Sequence, residues 1–253
     1  MAWGFRHGRV VAAVLGACLA QAVVTPFGWG RPAGLLWLRS LISPRLIALS
    51  DDSLRLQLRG LWGLMHAMAY LLLPLLVARC LGLGRVALGL QRDPGERADW
   101  TIWRSGRWTL AAFVLVVVPT LSAVVLAPIL SQAYPMYPPP LPVRVAPGAW
   151  LCALGFMAIH LFSIEFFFRG FLPAVLRPAV GLRWAHAIAL LPYVATHTFW
   201  PEAVAALPFG LLMIGLRLRT GSIWAGYVVH LLLATSLEVL GLALHGGFAS
   251  PGS

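Results

Sequence analysis

The sequence predicts an all-α, polytopic transmembrane helical bundle of about seven spans with additional interfacial helices. Three observations carry this. The 253-residue chain is 60% hydrophobic and only 11% charged, with a mean hydropathy of +0.83, a balance that water-soluble domains of this length do not tolerate. Its apolar runs are long and unbroken, without the period-two alternation of a barrel strand. Its basic residues stand at the ends of those runs, so the net charge of +11 reads as topology and headgroup contact rather than affinity for nucleic acid.

The elements follow in order. Arg6, His7 and Arg9 precede an apolar run from Val10 to Val24, read as an uncleaved first span rather than a signal peptide, since further spans follow. From Trp29 to Gly60 the apolar chain is broken by Arg31, Arg39, Arg45, Arg55 and Arg59. Ser50-Asp51-Asp52-Ser53 there resembles a helix start, and the region is read as interfacial helices. A second span covers about 61–83, and His66 within it is expected to be an interhelical hydrogen-bonder.

Residues 84–108 form a polar loop with five arginines, expected on the cytoplasmic side. A third span covers about 109–131, with Pro119 a kink. The proline-rich stretch Tyr134–Pro140 is an extended loop on the far side. Four more spans are expected at about 150–177, 184–199, 201–218 and 222–244. Their connections carry Arg177 with Arg183, then none, then Arg217 with Arg219, which places the N-terminus inside and the C-terminus outside. Residues 1–149 are thus N-terminal transmembrane and interfacial helices, and residues 150–253 a helical core, within one integral membrane domain.

All nineteen basic residues are Arg. With abundant Ala, Gly and Pro this suggests a GC-rich coding sequence, hence a bacterial inner membrane as the expected location. Cys18, Cys80 and Cys152 have no CxxC spacing and are expected to be buried, inert thiols.

Inside the fourth apolar run stand Glu165 and Arg169, four apart and so on one helix face about 6 Å apart along the axis. An ionisable pair in hydrocarbon is a functional-site hypothesis by default, against the plainer reading of a structural ion pair between helices. Depth favours the site. Glu165 lies about 18 Å from the cytoplasmic end of its span, His197 about 21 Å and His230 about 16 Å, at 1.5 Å of rise per residue. Three ionisable groups on three helices thus reach a similar level. Pro173 is expected to bend the fourth span.

These residues also carry a resemblance. The chain resembles the CPBP family (CAAX proteases and bacteriocin-processing enzymes, or Abi family) of intramembrane glutamic endopeptidases, marked by EExxxR, FxxxH and HxxxN or HxxxD. The corresponding segments here are Ile164-Glu165-Phe166-Phe167-Phe168-Arg169 followed by Gly170-Phe171-Leu172, then Tyr193-Val194-Ala195-Thr196-His197, then His230-Leu231-Leu232-Leu233-Ala234 after Arg219–Trp224. The likeness spans about 150–234. Two positions depart from it: Ile164 stands where the family has its first glutamate, and Ala234 where it has Asn.

The resemblance implies a peptidase acting on a membrane-associated peptide or protein. Eukaryotic relatives trim prenylated CAAX termini, and bacterial relatives are linked to peptide maturation or self-immunity. Glu165, with His197, would take a proton from the attacking water, and His230 would donate to the oxyanion. Arg169 would hold Glu165 in place and keep it ionised, and Tyr193 supports the second motif. Glu202, in the first turn of the sixth helix, is a helix cap or a replacement for the missing carboxylate. The family is metal-independent, so no cofactor is expected; zinc on two His and one Glu is the alternative, although HExxH is absent. The competing class is a family-like protein that kept the fold, lost the chemistry, and serves as a binding, immunity or scaffold factor. Glu238 is expected to be interfacial, and His160, His186, Trp200 and Phe166–Phe168 to be packing or interfacial residues.

Overall fold

The computed structural model describes residues 63–91, 147–197 and 200–245, with isolated positions elsewhere, and every regular element among them is helical. Four helical stretches are long and apolar enough to cross a membrane: Gly63–Cys80, Trp150–Val180, Ala203–Thr220 and Trp224–Leu244. The chain is an integral membrane protein. These four match the second, fourth, sixth and seventh expected spans. The first and third expected spans, the interfacial helices, Cys18 and the Tyr134–Pro140 loop lie outside the described residues. The segment expected as a fifth span is a shorter helix, Leu182–Ala195, whose 14 residues reach only about 21 Å.

In chain order the elements are π1 (Met68–Leu72) running into α1 (Leu73–Cys80); α2 (Pro147–Glu165), π2 (Phe166–Phe171) and α3 (Leu172–Val180) as one continuous helix; α4 (Leu182–Ala195); α5 (Trp200–Thr220); and α6 (Trp224–His245). Apolar side chains face both inward and outward. Leu64, Met68, Leu72 and Leu76, one turn apart, form an exposed stripe suited to lipid, while Ala69, Tyr70 and Ala78 of the same helix are buried. Cys80 and Cys152 lie on such outward faces, which corrects the expectation that they are buried.

Both π-helical turns have the same local cause. Each is followed, two residues on, by a proline at the start of the next α-helix: Pro74 and Pro173. A proline ring collides with the carbonyl four residues back and supplies no N–H to it. Widening the turn moves that carbonyl aside, and the preceding amide reaches one residue further back. The N–H of Leu73 therefore donates to the Met68 carbonyl, and the N–H of Leu172 to the Phe167 carbonyl. Pro173 thus acts through a widened turn in an unbroken helix.

π2 sits at the centre of the bundle. It packs against π1, α1, α4 and α5, and all six of its residues are buried. Aromatic rings fill the space around it: Tyr70 meets Phe167 at 5.1 Å and Phe168 at 5.6 Å between centroids, and Phe168 meets Tyr193 at 5.6 Å. α6 packs on α2 and α5. α3 turns back into α4 at Gly181, whose φ of +80° a residue with a Cβ rarely adopts.

Candidate active site

Glu165 is the last residue before the π2 turn, and Arg169 lies inside it. Their side chains are 0% and 2% exposed, and Arg169 Nε lies 3.6 Å from Glu165 Oε2. The shared face expected from their spacing is therefore real, and it is turned wholly inward. The other carboxylate oxygen, Oε1, lies 2.9 Å from His230 Nδ1 across the α2–α6 interface. Glu165 thus joins two partners, a cation on its own helix and an imidazole on the last helix. Burial of a carboxylate is tolerated only with such compensation.

His230 is held from the other side by Phe209 of α5, whose ring meets the imidazole edge-on at 4.8 Å. Its side chain is 13% exposed, so the imidazole is the accessible end of the Glu165–His230 pair. Gly226, one turn before His230, lies against Glu165: a Cβ there would be 3.2 Å from Oε2 and 3.4 Å from Met213 Sδ. Its missing side chain is what lets the carboxylate and α6 approach closely.

Arg169 is also seated on Tyr193, with its guanidinium carbon 3.8 Å from the ring centroid. Tyr193 connects Arg169 to His197, whose ring lies 5.1 Å from the tyrosine ring. His197 follows the end of α4, and its Nδ1 is 3.2 Å from the Tyr193 carbonyl and 3.3 Å from Thr196 Oγ1. A donor Nδ1–H on that carbonyl leaves Nε2 with its lone pair. His197 lies within electrostatic reach of His230 and Arg169.

Glu165, Arg169, Tyr193 and His230 are therefore brought into one contiguous group, with His197 beside it. Glu202 is in the first turn of α5. Among the described residues, no three His, Cys, Asp or Glu side chains converge in an arrangement able to hold a metal ion.

The remaining sequence expectations divide. Ile164, on the position of the family's first glutamate, is 5% exposed and packs in the apolar core. His66 and His160 are both buried and meet edge-to-face at 4.3 Å between helices. His186 and the Phe166–Phe168 run are buried packing residues. Glu238, expected to be interfacial, is 4% exposed: eight residues beyond His230, it lies on the inward stripe of α6. Phe209, Met213 and Gly226 had no motif to mark them. The spacing of Gly226, four residues before His230, was the signal available.

Residues 145–236 match the family model described as Type II CAAX prenyl endopeptidase Rce1-like. The match covers less than half of the chain, and all the site residues named above lie within it. It supports the resemblance to the CAAX-protease family carried by the three motifs. No curated protein and no solved structure matches the chain.

Proposed function

We propose that the chain is an intramembrane endopeptidase that hydrolyses a peptide bond of a membrane-associated peptide or protein, using a water activated by the Glu165–His230 pair. The observation that carries this reading is the 2.9 Å contact between His230 Nδ1 and Glu165 Oε1, inside membrane-spanning helices and backed by Arg169. A carboxylate that accepts the Nδ1–H of an imidazole fixes its tautomer and leaves Nε2 as a proton acceptor. Arg169 offsets the charge of Glu165.

The steps then follow. A water gives a proton to His230 Nε2 as its oxygen bonds to the substrate carbonyl carbon. Glu165 stabilises the imidazolium so formed. The tetrahedral intermediate collapses, the C–N bond breaks, and the imidazolium returns its proton to the leaving amine. His197, with Nε2 available, orients the attacking water. This arrangement gives His230 the proton and Glu165 the supporting charge, the reverse of the roles implied by the resemblance. The reason is exposure: Glu165 is fully enclosed and His230 is not.

The test is cleavage of a panel of fluorogenic peptides, with and without a lipidated terminus, by the purified protein beside its Glu165→Gln and His230→Ala variants. The reading expects turnover in the wild type and its loss in both variants. Equal signal from all three would assign the fold to a binding or scaffold role.

A further inference from the structure

Residues 84–91, expected to begin a polar cytoplasmic loop, fold back into the bundle. Gly82 ends α1 with a φ of +65°, and the N–H of Leu83 donates to the Ala78 carbonyl. A compact turn follows, in which the N–H of Gly89 donates to the Val86 carbonyl and that of Leu90 to the Arg85 carbonyl. The turn carries Leu88 into the apolar core and presents three successive carbonyls to the helices that bear the site.

Each carbonyl has a defined neighbour. That of Leu88 lies against Gly170 of π2, where a Cβ would be 2.5 Å from its oxygen. That of Gly89 accepts from the Ile223 N–H at 3.0 Å and from Ser222 Oγ at 3.3 Å, at the start of α6. That of Leu90 accepts from Trp224 Nε1 at 3.2 Å. The segment thus bridges the turn that carries Arg169 and the first residues of the helix that carries His230.

Arg217, near the end of α5, completes the bridge. Its Nε donates to the Arg169 carbonyl at 3.4 Å, and its guanidinium lies over Gly89, where a Cβ would be 2.7 Å from Nε. The Arg169 carbonyl is the one that Pro173, four residues on, deprives of its helical N–H. In a bilayer such a carbonyl must find another donor.

We infer that Arg217 is a positioning residue, which with the Leu88–Leu90 strap fixes the alignment of Glu165 and Arg169 against His230. The inference rests on the catalytic reading of that site for its kinetic consequence, and on geometry alone for its structural one. Arg217 meets Arg169 at its backbone carbonyl. It acts by supplying the donor that the proline removes and by pressing Gly89 onto the start of α6.

The experiment compares Arg217→Met, Arg217→Lys and Gly89→Ala with the wild type in detergent. Hydrogen–deuterium exchange of peptides covering 166–172 and 222–230 is read beside peptide cleavage kinetics and thermal unfolding. Arg217→Met keeps the length of the side chain and removes the donor. It is expected to raise exchange selectively in those two peptides and to lower kcat on the order of tenfold with KM little changed, since small misplacements of reacting groups weigh on the chemical step. Arg217→Lys, which restores a donor, recovers part of both. Gly89→Ala, strained at its φ of +70° and driven against the guanidinium, gives the same selective signature from the other partner.

Exchange in 166–172 and 222–230 that stays at the wild-type level in Arg217→Met and Gly89→Ala overturns the inference. So does a uniform rise over all helices in both, which would make the strap a general brace. A wild type inert towards every peptide would remove the proposed function, while the exchange comparison would still decide the role of the strap.

Discussion

The guanidinium carbon of Arg169 lies 3.8 Å from the centre of the Tyr193 ring, so the cation that faces Glu165 on one side rests on an aromatic face on the other. The family's second motif has Phe where this chain has Tyr, and the contact itself needs only the ring. We expect Tyr193→Phe to retain activity and stability. Tyr193→Leu, which removes the ring face, should destabilise by about 2 kcal/mol or more and loosen Arg169. Thermal unfolding and peptide turnover of the two variants check this.

Gly226 leaves room for the Glu165 carboxylate. Adding a methyl group 3.2 Å from Oε2 forces the carboxylate or α6 to move by a few tenths of an ångström. Gly226→Ala should lower kcat several-fold while costing about 1–3 kcal/mol of stability, and Gly226→Leu should abolish turnover. Steady-state kinetics beside a melting curve separate the two effects. A fully active Gly226→Leu variant would contradict the placement of Glu165.

Ile164 tests where the base resides. It packs in the core next to Glu165 in sequence, so Ile164→Glu would bury a second carboxylate with Arg169 already engaged. We expect lower stability and unchanged or reduced turnover. Ala234→Asn alone should raise turnover by adding an oxyanion donor one turn after His230. An inert wild type that gains cleavage from the double change Ile164→Glu with Ala234→Asn would instead mark a decayed enzyme.

The topology has its own check. Single cysteines introduced at Arg97 and at Pro139 should react with an impermeant thiol reagent from opposite sides of the membrane. Reaction from the same side would refute the expected inside placement of the 84–108 loop.

The groups that chemistry makes conspicuous were legible in the sequence. Glu165, Arg169 and His230 stand out because ionisable residues in apolar runs are costly, and the depth comparison put Glu165 and His230 at one level before any contact was known. Two outcomes were less legible for physical reasons. Position along α6 speaks to the depth of Glu238 and not to its angle around the helix, which turns it inward. The strap was hidden because residues 84–91 read as the start of a charged loop. Nothing in the local pattern announces that the Gly89 carbonyl meets Ile223, 134 positions away. Close backbone approach leaves only a glycine as its trace, and glycine has several other uses.

The widened turn at Phe166–Phe171 makes chain length itself a constraint. A π turn holds one residue more than the α-helical ladder would over the same rise. Deleting any single residue there would restore the α-helical register, with the proline still withholding one N–H from the ladder. The segment before the deletion would then rotate by about 100° relative to the segment after it. Glu165 would swing away from His230 although neither had been replaced. A one-residue deletion in this turn should therefore be more damaging than most substitutions at the same positions.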